Sequence, residues 1–141
     1  MKIQILFLCT GNSCRSQMAE AWTNHIQKDN YKACSAGITP KGVDPKAVQV
    51  MAEAGIDISG QRSKNIESLG DMEFDYVITL CDNANEACPF FPAKTKLIHR
   101  GFDDPPTLAK GLKHEEALIH YRRIRDEIKF FIYDLKNQLN K

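Results

Sequence analysis

Cys9 and Arg15, with five residues between them, carry the most reactive chemistry in this sequence. A cysteine thiolate is a nucleophile, and a guanidinium can hold two oxygens of a tetrahedral oxyanion in a planar fork. The residues between them are small or turn-forming: Thr10, Gly11, Asn12, Ser13 and Cys14. This spacing predicts a loop that cradles an oxyanion above a sulfur nucleophile.

The residues on either side predict a strand before this loop and a helix after it. Residues 3–8 are almost continuously apolar, as in a strand buried on both faces, and apolar residues recur at helical spacing from Met18. A strand that turns into a helix aims backbone N–H groups and the positive end of the helix dipole at one point. The arrangement therefore predicts an anion site.

Arg15 and Cys9 both respond to that field. A cation in the first helical turn interacts unfavourably with the positive end of the dipole, by about 0.3–1 kcal/mol. An anion bound at the same place interacts favourably with that end. The field also favours the thiolate and predicts a pKa for Cys9 within about 3.5–7.5. The alternative, a buried structural cysteine beside a surface arginine, stays open for Cys-x5-Arg taken alone.

Residues 9–16, CTGNSCRS, resemble the phosphate loop of the low-molecular-weight protein tyrosine phosphatase superfamily. Residues 17–20 resemble its arsenate reductase branch, because phosphatases usually have Pro in place of Gln17. The resemblance covers nearly the whole chain. It implies that the oxyanion is bound by the loop residues Thr10, Gly11, Asn12, Ser13, Cys14, Arg15 and Ser16.

Size and composition limit the other classes of function. The chain has 141 residues and a net charge of +1, which predicts one domain over residues 1–141 and favours neither nucleic acid nor an anionic membrane as a partner. We find no export signal and no run near the ~20 apolar residues of a membrane span. Five cysteines that match no zinc spacing indicate a reducing cytoplasm, with no metal site and no bound cofactor.

Strand and helix patterns alternate along the rest of the chain. Strands are predicted at residues 31–35, 75–80 and 94–99, and helices at 45–54, 65–69 and 114–139, with Asp44 capping the first of these. Alternation predicts a parallel sheet with helices on both faces, an α/β three-layer sandwich. The resemblance implies four strands in the order 2-1-3-4.

In that order Cys81 follows the strand next to the one that Cys9 follows. Adjacent strands lie about 4.8 Å apart and a disulfide needs Cα atoms within about 7 Å, so the two cysteines can pair after a modest movement. Cys88 is seven residues further on, and a helix over 81–88 would separate its sulfur from that of Cys81 by about 10.5 Å of rise. We therefore predict that this segment loops or unwinds for Cys81 and Cys88 to pair. From spacing alone, both could also be inert core thiols.

The resemblance implies a reaction. In thioredoxin-coupled arsenate reductases of this fold, the loop cysteine attacks arsenate, a second cysteine attacks the first and arsenite leaves, and a third attacks the second. These roles fall on Cys9, Cys81 and Cys88, with thioredoxin or a similar thiol donor as the partner. The resemblance makes Asp104, directly before a proline, the acid that protonates the leaving oxygen; Asp103 is the alternative.

Two other functions stay open. One is a low-molecular-weight protein tyrosine phosphatase that hydrolyses phosphomonoesters through a phosphoenzyme on Cys9. Gln17 opposes it, as does Pro106, where phosphatases of this fold usually have Tyr. The other is a thiol sensor or anion-binding regulator without turnover. Phosphate and sulfate are expected to mimic arsenate, and a monomer is expected.

Some members of the superfamily bind potassium near the loop. The matching residues are Asn12, Glu20 and Ser35, with an acidic residue near position 64. Here that position is Lys64, whose charge would repel a cation, so the sequence predicts no potassium site. Cys14 either protects Cys9 or packs in the core, and Cys34 is interpreted as a structural thiol.

Overall fold

The computed structural model describes residues 1–86, 88 and 91–140. Its strands are β1 (Ile3–Cys9), β2 (Tyr31–Gly37), β3 (Tyr76–Thr79) and β4 (Lys96–His99). Its α-helices are α1 (Arg15–Ile26), α2 (Pro45–Glu53), α3 (Asp82–Glu86), α4 (Pro105–Leu108), α5 (His114–Tyr133) and α6 (Leu135–Leu139), and a 3-10 helix spans Ile66–Leu69. Residues 87, 89, 90 and 141 lie outside the description.

The four strands form one parallel sheet in the order β2-β1-β3-β4, which confirms the predicted fold class. In the register, Leu8 pairs with Ala36 on one side and with Thr79 on the other. Because all strands run in the same direction, their carboxyl ends lie at one edge. The loop after Cys9 and the segment that begins at Cys81 both start there.

Strand β1 is buried on both faces of the sheet. Ile5 and Phe7 point into an apolar cluster formed mainly with α1, α2 and α5. Leu6 and Leu8 point into a second cluster on the other face, which also holds Cys9 and Cys81. Fully burying such a side chain contributes about 1.5–3 kcal/mol. The sheet thus supports the loop after β1 rigidly from both sides.

Helix α2 begins as predicted, but the C-terminal helix does not run through to residue 139. The Asp44 side chain accepts a hydrogen bond from the Lys46 N–H at 2.9 Å, and Pro45 is the first helical residue. Helix α5 ends at Tyr133, and α6 starts after Asp134. The Asp134 carboxylate accepts side-chain hydrogen bonds from α6, and aspartate favours caps over helix interiors because it forms such local bonds.

Helix α4 was not predicted from the sequence. It starts at Pro105, whose fixed φ suits a first helical position. Among the helices of the described chain, none is long and apolar enough to cross a membrane.

Candidate active site

The loop from Cys9 to Arg15 connects β1 to α1 directly, as the sequence predicted. Cys14 is the N-cap residue of α1, and its side chain makes no capping hydrogen bond. The first N–H groups of a helix have no partner within the helix. The positive end of this twelve-residue helix therefore faces the sulfur of Cys9 and the space above it.

Asn12 fixes the shape of the loop. It has a positive φ of 45°, a conformation that asparagine tolerates better than most residues. Its Nδ2 donates to Ser16 Oγ and to Ser35 Oγ, each at 2.9 Å, and its Oδ1 accepts from the Lys64 N–H at 2.9 Å. These three bonds, two of them buried and the third partly buried, hold the turn by contacts with α1, β2 and the segment before the 3-10 helix.

The network continues to Glu20 and ends at a cation of the chain itself. The Ser35 hydroxyl donates to Glu20 Oε1 at 2.7 Å, and Lys64 Nζ lies 3.8 Å from the same oxygen. Both members of this ion pair are mostly buried, with side-chain exposures of 23% for Lys64 and 15% for Glu20. The Glu20 carboxylate therefore already has a positive partner, and the predicted lack of a potassium site stays a prediction.

Gln17 also supports the loop. Its Nε2 donates to the carbonyls of Asn12 and Arg62, each at 3.0 Å, and its Oε1 accepts from Gln61 at 2.7 Å. A proline at this position could make none of these side-chain bonds. The glutamine thus ties the loop to residues 61–62, a role that the sequence analysis missed.

Arg15 is buried and holds two of its nitrogens against fixed oxygens. Its Nη1 donates to the carbonyl of Phe102 at 2.8 Å, and its Nη2 lies 3.2 Å from Asp104 Oδ1. Its Nε is buried with no hydrogen-bond partner in the described part of the chain. Leaving a buried donor unpaired costs about 1–3 kcal/mol, and more for a charged group. A bound oxyanion would supply the missing acceptor.

Cys9, Arg15 and Asp104 line one cavity of about 320 Å³. Lys41 lines it as well and was not identified from the sequence. Its N–H donates to the Gly11 carbonyl at 2.9 Å, so the connection between β2 and α2 runs along the loop. The position of Lys41 in the cavity could have been expected from the predicted sheet, because loops at the carboxyl ends of neighbouring parallel strands meet at the same edge.

The two aspartates before the first proline of α4 face different neighbours. Asp104 lines the cavity, pairs with Arg15 and accepts a hydrogen bond from the Thr107 hydroxyl at 2.6 Å. Asp103 instead lies 3.2 Å from Arg123 on α5. The geometry therefore favours Asp104 as the group that can reach an oxyanion.

Cys9 and Cys81 follow neighbouring strands and belong to the same apolar cluster, where their thiols influence each other's ionisation. The neighbouring Cys81 thiol and burial raise the pKa of Cys9, although Arg15 opposes them. The Cys9 thiol, the Thr10 hydroxyl 3.2 Å from Cys81 Sγ and the Ala84 N–H that donates to it at 3.4 Å lower the pKa of Cys81. The pKa of Cys9 is thus shifted upward, opposite to the prediction, because Cys81 and burial outweigh Arg15.

Cys88 is half-buried and packs against the apolar cluster that contains Cys9 and Cys81. Burial raises the pKa of its thiol. Helix α3 occupies residues 82–86 of the segment between Cys81 and Cys88, and residue 87 lies outside the description. That this segment must loop or unwind for the two sulfurs to bond stays a prediction. All five cysteines are free thiols.

Comparisons with known proteins agree with this geometry. The model of the low molecular weight phosphotyrosine protein phosphatase family matches residues 4–141. An arsenate reductase of Bacillus subtilis (strain 168) is 50% identical over 124 residues, 88% of this chain and 88% of that protein. A solved structure of an arsenate reductase in the phosphate binding state has a TM-score of 0.74 and 31% identity, over 96% of each chain.

A thioredoxin-dependent arsenate reductase of Corynebacterium glutamicum has a TM-score of 0.74 and 26% identity, over 99% of this chain and 64% of that one. The family match spans nearly the whole sequence. The chain belongs to the low molecular weight phosphotyrosine protein phosphatase family.

Proposed function

We propose that this protein reduces arsenate to arsenite. Cys9 is the nucleophile, and Cys81 and Cys88 are the thiols to which the resulting disulfide is transferred. The position of Cys81 beside Cys9, at the carboxyl ends of two paired strands and in the same apolar cluster, is the observation on which this proposal depends. Ester hydrolysis needs one nucleophilic sulfur. Reduction through a disulfide needs a second sulfur near the first, and Cys81 fills that position.

The loop and Arg15 bind arsenate first. Cys9 loses its proton and attacks arsenic, an As–O bond breaks, and the departing hydroxide takes a proton from Asp104 and leaves as water. The proton from Cys9 restores Asp104, so no net proton is consumed. The lowered pKa of Cys81 favours its thiolate, the form that the next step needs.

Electron transfer follows in the second step. The Cys81 thiolate attacks the Cys9 sulfur, and the electron pair of the S–As bond passes to arsenic. Arsenic is reduced by two electrons and leaves as arsenite, and the two cysteines are oxidised to a disulfide. Arg15 and the helix dipole of α1 stabilise the negative charge that the departing group carries.

Cys88 then loses its proton and attacks the sulfur of Cys81, which expels Cys9 as a thiolate and leaves a Cys81–Cys88 disulfide; Cys9 takes up that proton. Its packing against the same apolar cluster as the other two thiols supports this role. An external dithiol reduces the final disulfide, and thioredoxin is the proposed donor because a relative over most of this chain is thioredoxin-dependent.

A weak phosphatase activity is the second candidate. Cys9, Arg15 and Asp104 lie in one cavity, which is the set that phosphomonoester hydrolysis through a cysteine intermediate needs. Phosphate has the shape and charge of arsenate.

The test is a comparison of single and multiple turnover. With thioredoxin, thioredoxin reductase and NADPH, we expect sustained arsenate reduction by the wild type and by the control Cys34→Ser. Cys88→Ser should release about one arsenite per protein and stop, and Cys81→Ser should release none. Sustained turnover by either variant would refute the relay. Hydrolysis of p-nitrophenyl phosphate without arsenite release would favour the phosphatase, and neither activity would indicate a sensor.

A further inference from the structure

Helix α3 is held on the protein by side chains outside the three-cysteine relay. It has five residues, and an isolated helix of that length is not stable in water. Its stability must therefore come from tertiary contacts. Ala84 packs fully buried in the second apolar cluster, and Asn83 Oδ1 accepts from the Thr10 hydroxyl at 3.0 Å.

Asp82, the first residue of this helix, makes a contact of a different kind. Its Oδ1 lies 3.1 Å from His99 Nε2, and His99 Nδ1 lies 2.8 Å from the Thr79 hydroxyl. Thr79 and His99 are the last residues of β3 and β4 and pair in the sheet register. The imidazole therefore has a contact at each nitrogen, with the sheet on one side and with α3 on the other.

The ring of His99 thus contacts α3, a helix in the segment between Cys81 and Cys88. If residues 81–88 were all helical, those two sulfurs would be about 10.5 Å apart, and we predict that α3 opens before they bond. Any contact that holds α3 closed thus delays the step that frees Cys9.

We propose that Asp82 and His99 are positioning residues that latch α3 closed and so set the rate at which Cys88 reaches Cys81. This rests on the proposed function, since the delayed step is the last internal step of that relay. The latch touches neither the oxyanion loop nor a reacting sulfur. Its loss changes how often α3 opens and leaves the contacts of the closed helix with Thr10 and Cys81 in place, so the latch acts mainly on the third step.

Amide hydrogen exchange in the reduced protein tests the latch without arsenate. Asp82→Ala should speed exchange at residues 83–86 by about three-fold, as expected for loss of one exposed charged contact. Asp82→Asn keeps an acceptor for the Nε2–H and should stay near the wild-type rate. Glu86→Ala, which removes a carboxylate from the same helix, is the matched control and should also stay near it.

The kinetic measurement follows arsenite release and Cys81–Cys88 disulfide formation separately in one turnover. Asp82→Ala should leave the arsenite burst unchanged and speed the second disulfide about three-fold. His99→Ala should do the same, and the double variant should add nothing further. Three results would overturn the latch. One is a second disulfide that forms as fast in Glu86→Ala as in Asp82→Ala, and another is a double variant whose acceleration is the sum of the two single effects. The third is amide exchange in Asp82→Ala at the wild-type rate. Absence of arsenite from the wild type would refute the proposed function, while the exchange data still decide on the latch.

Discussion

Gly37 is the residue whose substitution tests most directly whether close packing sets the geometry of the oxyanion loop. It is the last residue of β2 and lies beside the loop. A Cβ added there would lie 2.8 Å from the Thr10 carbonyl oxygen, 2.9 Å from the Asn12 Cβ and 3.0 Å from the Asn12 N. Two of these atoms are loop backbone and the third is fixed to it, so none can move aside by a rotamer change.

The size of the effect follows from those distances. Ordinary contacts begin near 3.4 Å, so the loop must shift by about 0.6 Å from Gly37. Overpacking of this kind costs about 1–3 kcal/mol in the free energy of unfolding. Misplacing reacting groups by about 1 Å can cost about a hundred-fold in rate, so we expect Gly37→Ala to lower kcat/KM for arsenate by about ten- to a hundred-fold.

Three measurements separate stability from site geometry: urea unfolding, calorimetric binding of inorganic phosphate and single-turnover arsenite release. Gly60→Ala is the control, since its Cβ would meet nothing within 4 Å and its φ lies outside the left-handed region. It should change stability by less than about 0.5 kcal/mol. Wild-type phosphate affinity and wild-type arsenite release in Gly37→Ala would refute the reasoning, whatever the unfolding curve shows.

Three further substitutions test the site. Arg15→Lys keeps the charge but loses the planar fork, so phosphate affinity by calorimetry should fall at least about ten-fold. Asp104→Asn should slow the arsenite burst by about a hundred-fold or more, while Asp103→Asn changes it less than about two-fold. In urea unfolding, Lys64→Met should cost about 1–2 kcal/mol because its carboxylate partner is mostly buried. The control Lys94→Met, from an ion pair with exposures of 61% and 71%, should cost less than about 0.5 kcal/mol.

Local patterns in the sequence were sufficient to predict the strand, loop and helix that hold the site. The apolar run before Cys9, the turn residues after it and the helical spacing from Met18 predicted the strand, loop and helix, because each depends on neighbouring residues. Asp44 and Pro45 predicted the start of α2 for the same reason. Alternating strands and helices predicted the parallel sheet with its common edge, and the family resemblance supplied the strand order that places Cys81 beside Cys9.

What holds the loop depends on residues far apart in the sequence. Lys64 reaches Glu20, and Gly37 leaves room for Asn12, only because loops from different strands converge at that edge. No local pattern in the sequence predicts such contacts, since each of these residues is typical of a surface or turn position. The break at Asp134 was missed because helical spacing continues across it, and only side-chain bonds within α6 distinguish the two helices.

The sequence by itself determined which groups could react, and the tertiary structure decided how the charge is shared between them. The thiol at the carboxyl end of β1, the arginine six residues beyond it and the two later cysteines can be identified in the sequence. Which sulfur keeps the proton depends on burial and on the donors that surround each one. Cys81 Sγ accepts a hydrogen bond from the Ala84 N–H and lies near the Thr10 hydroxyl and the Cys9 thiol, and those contacts exist only in the folded chain.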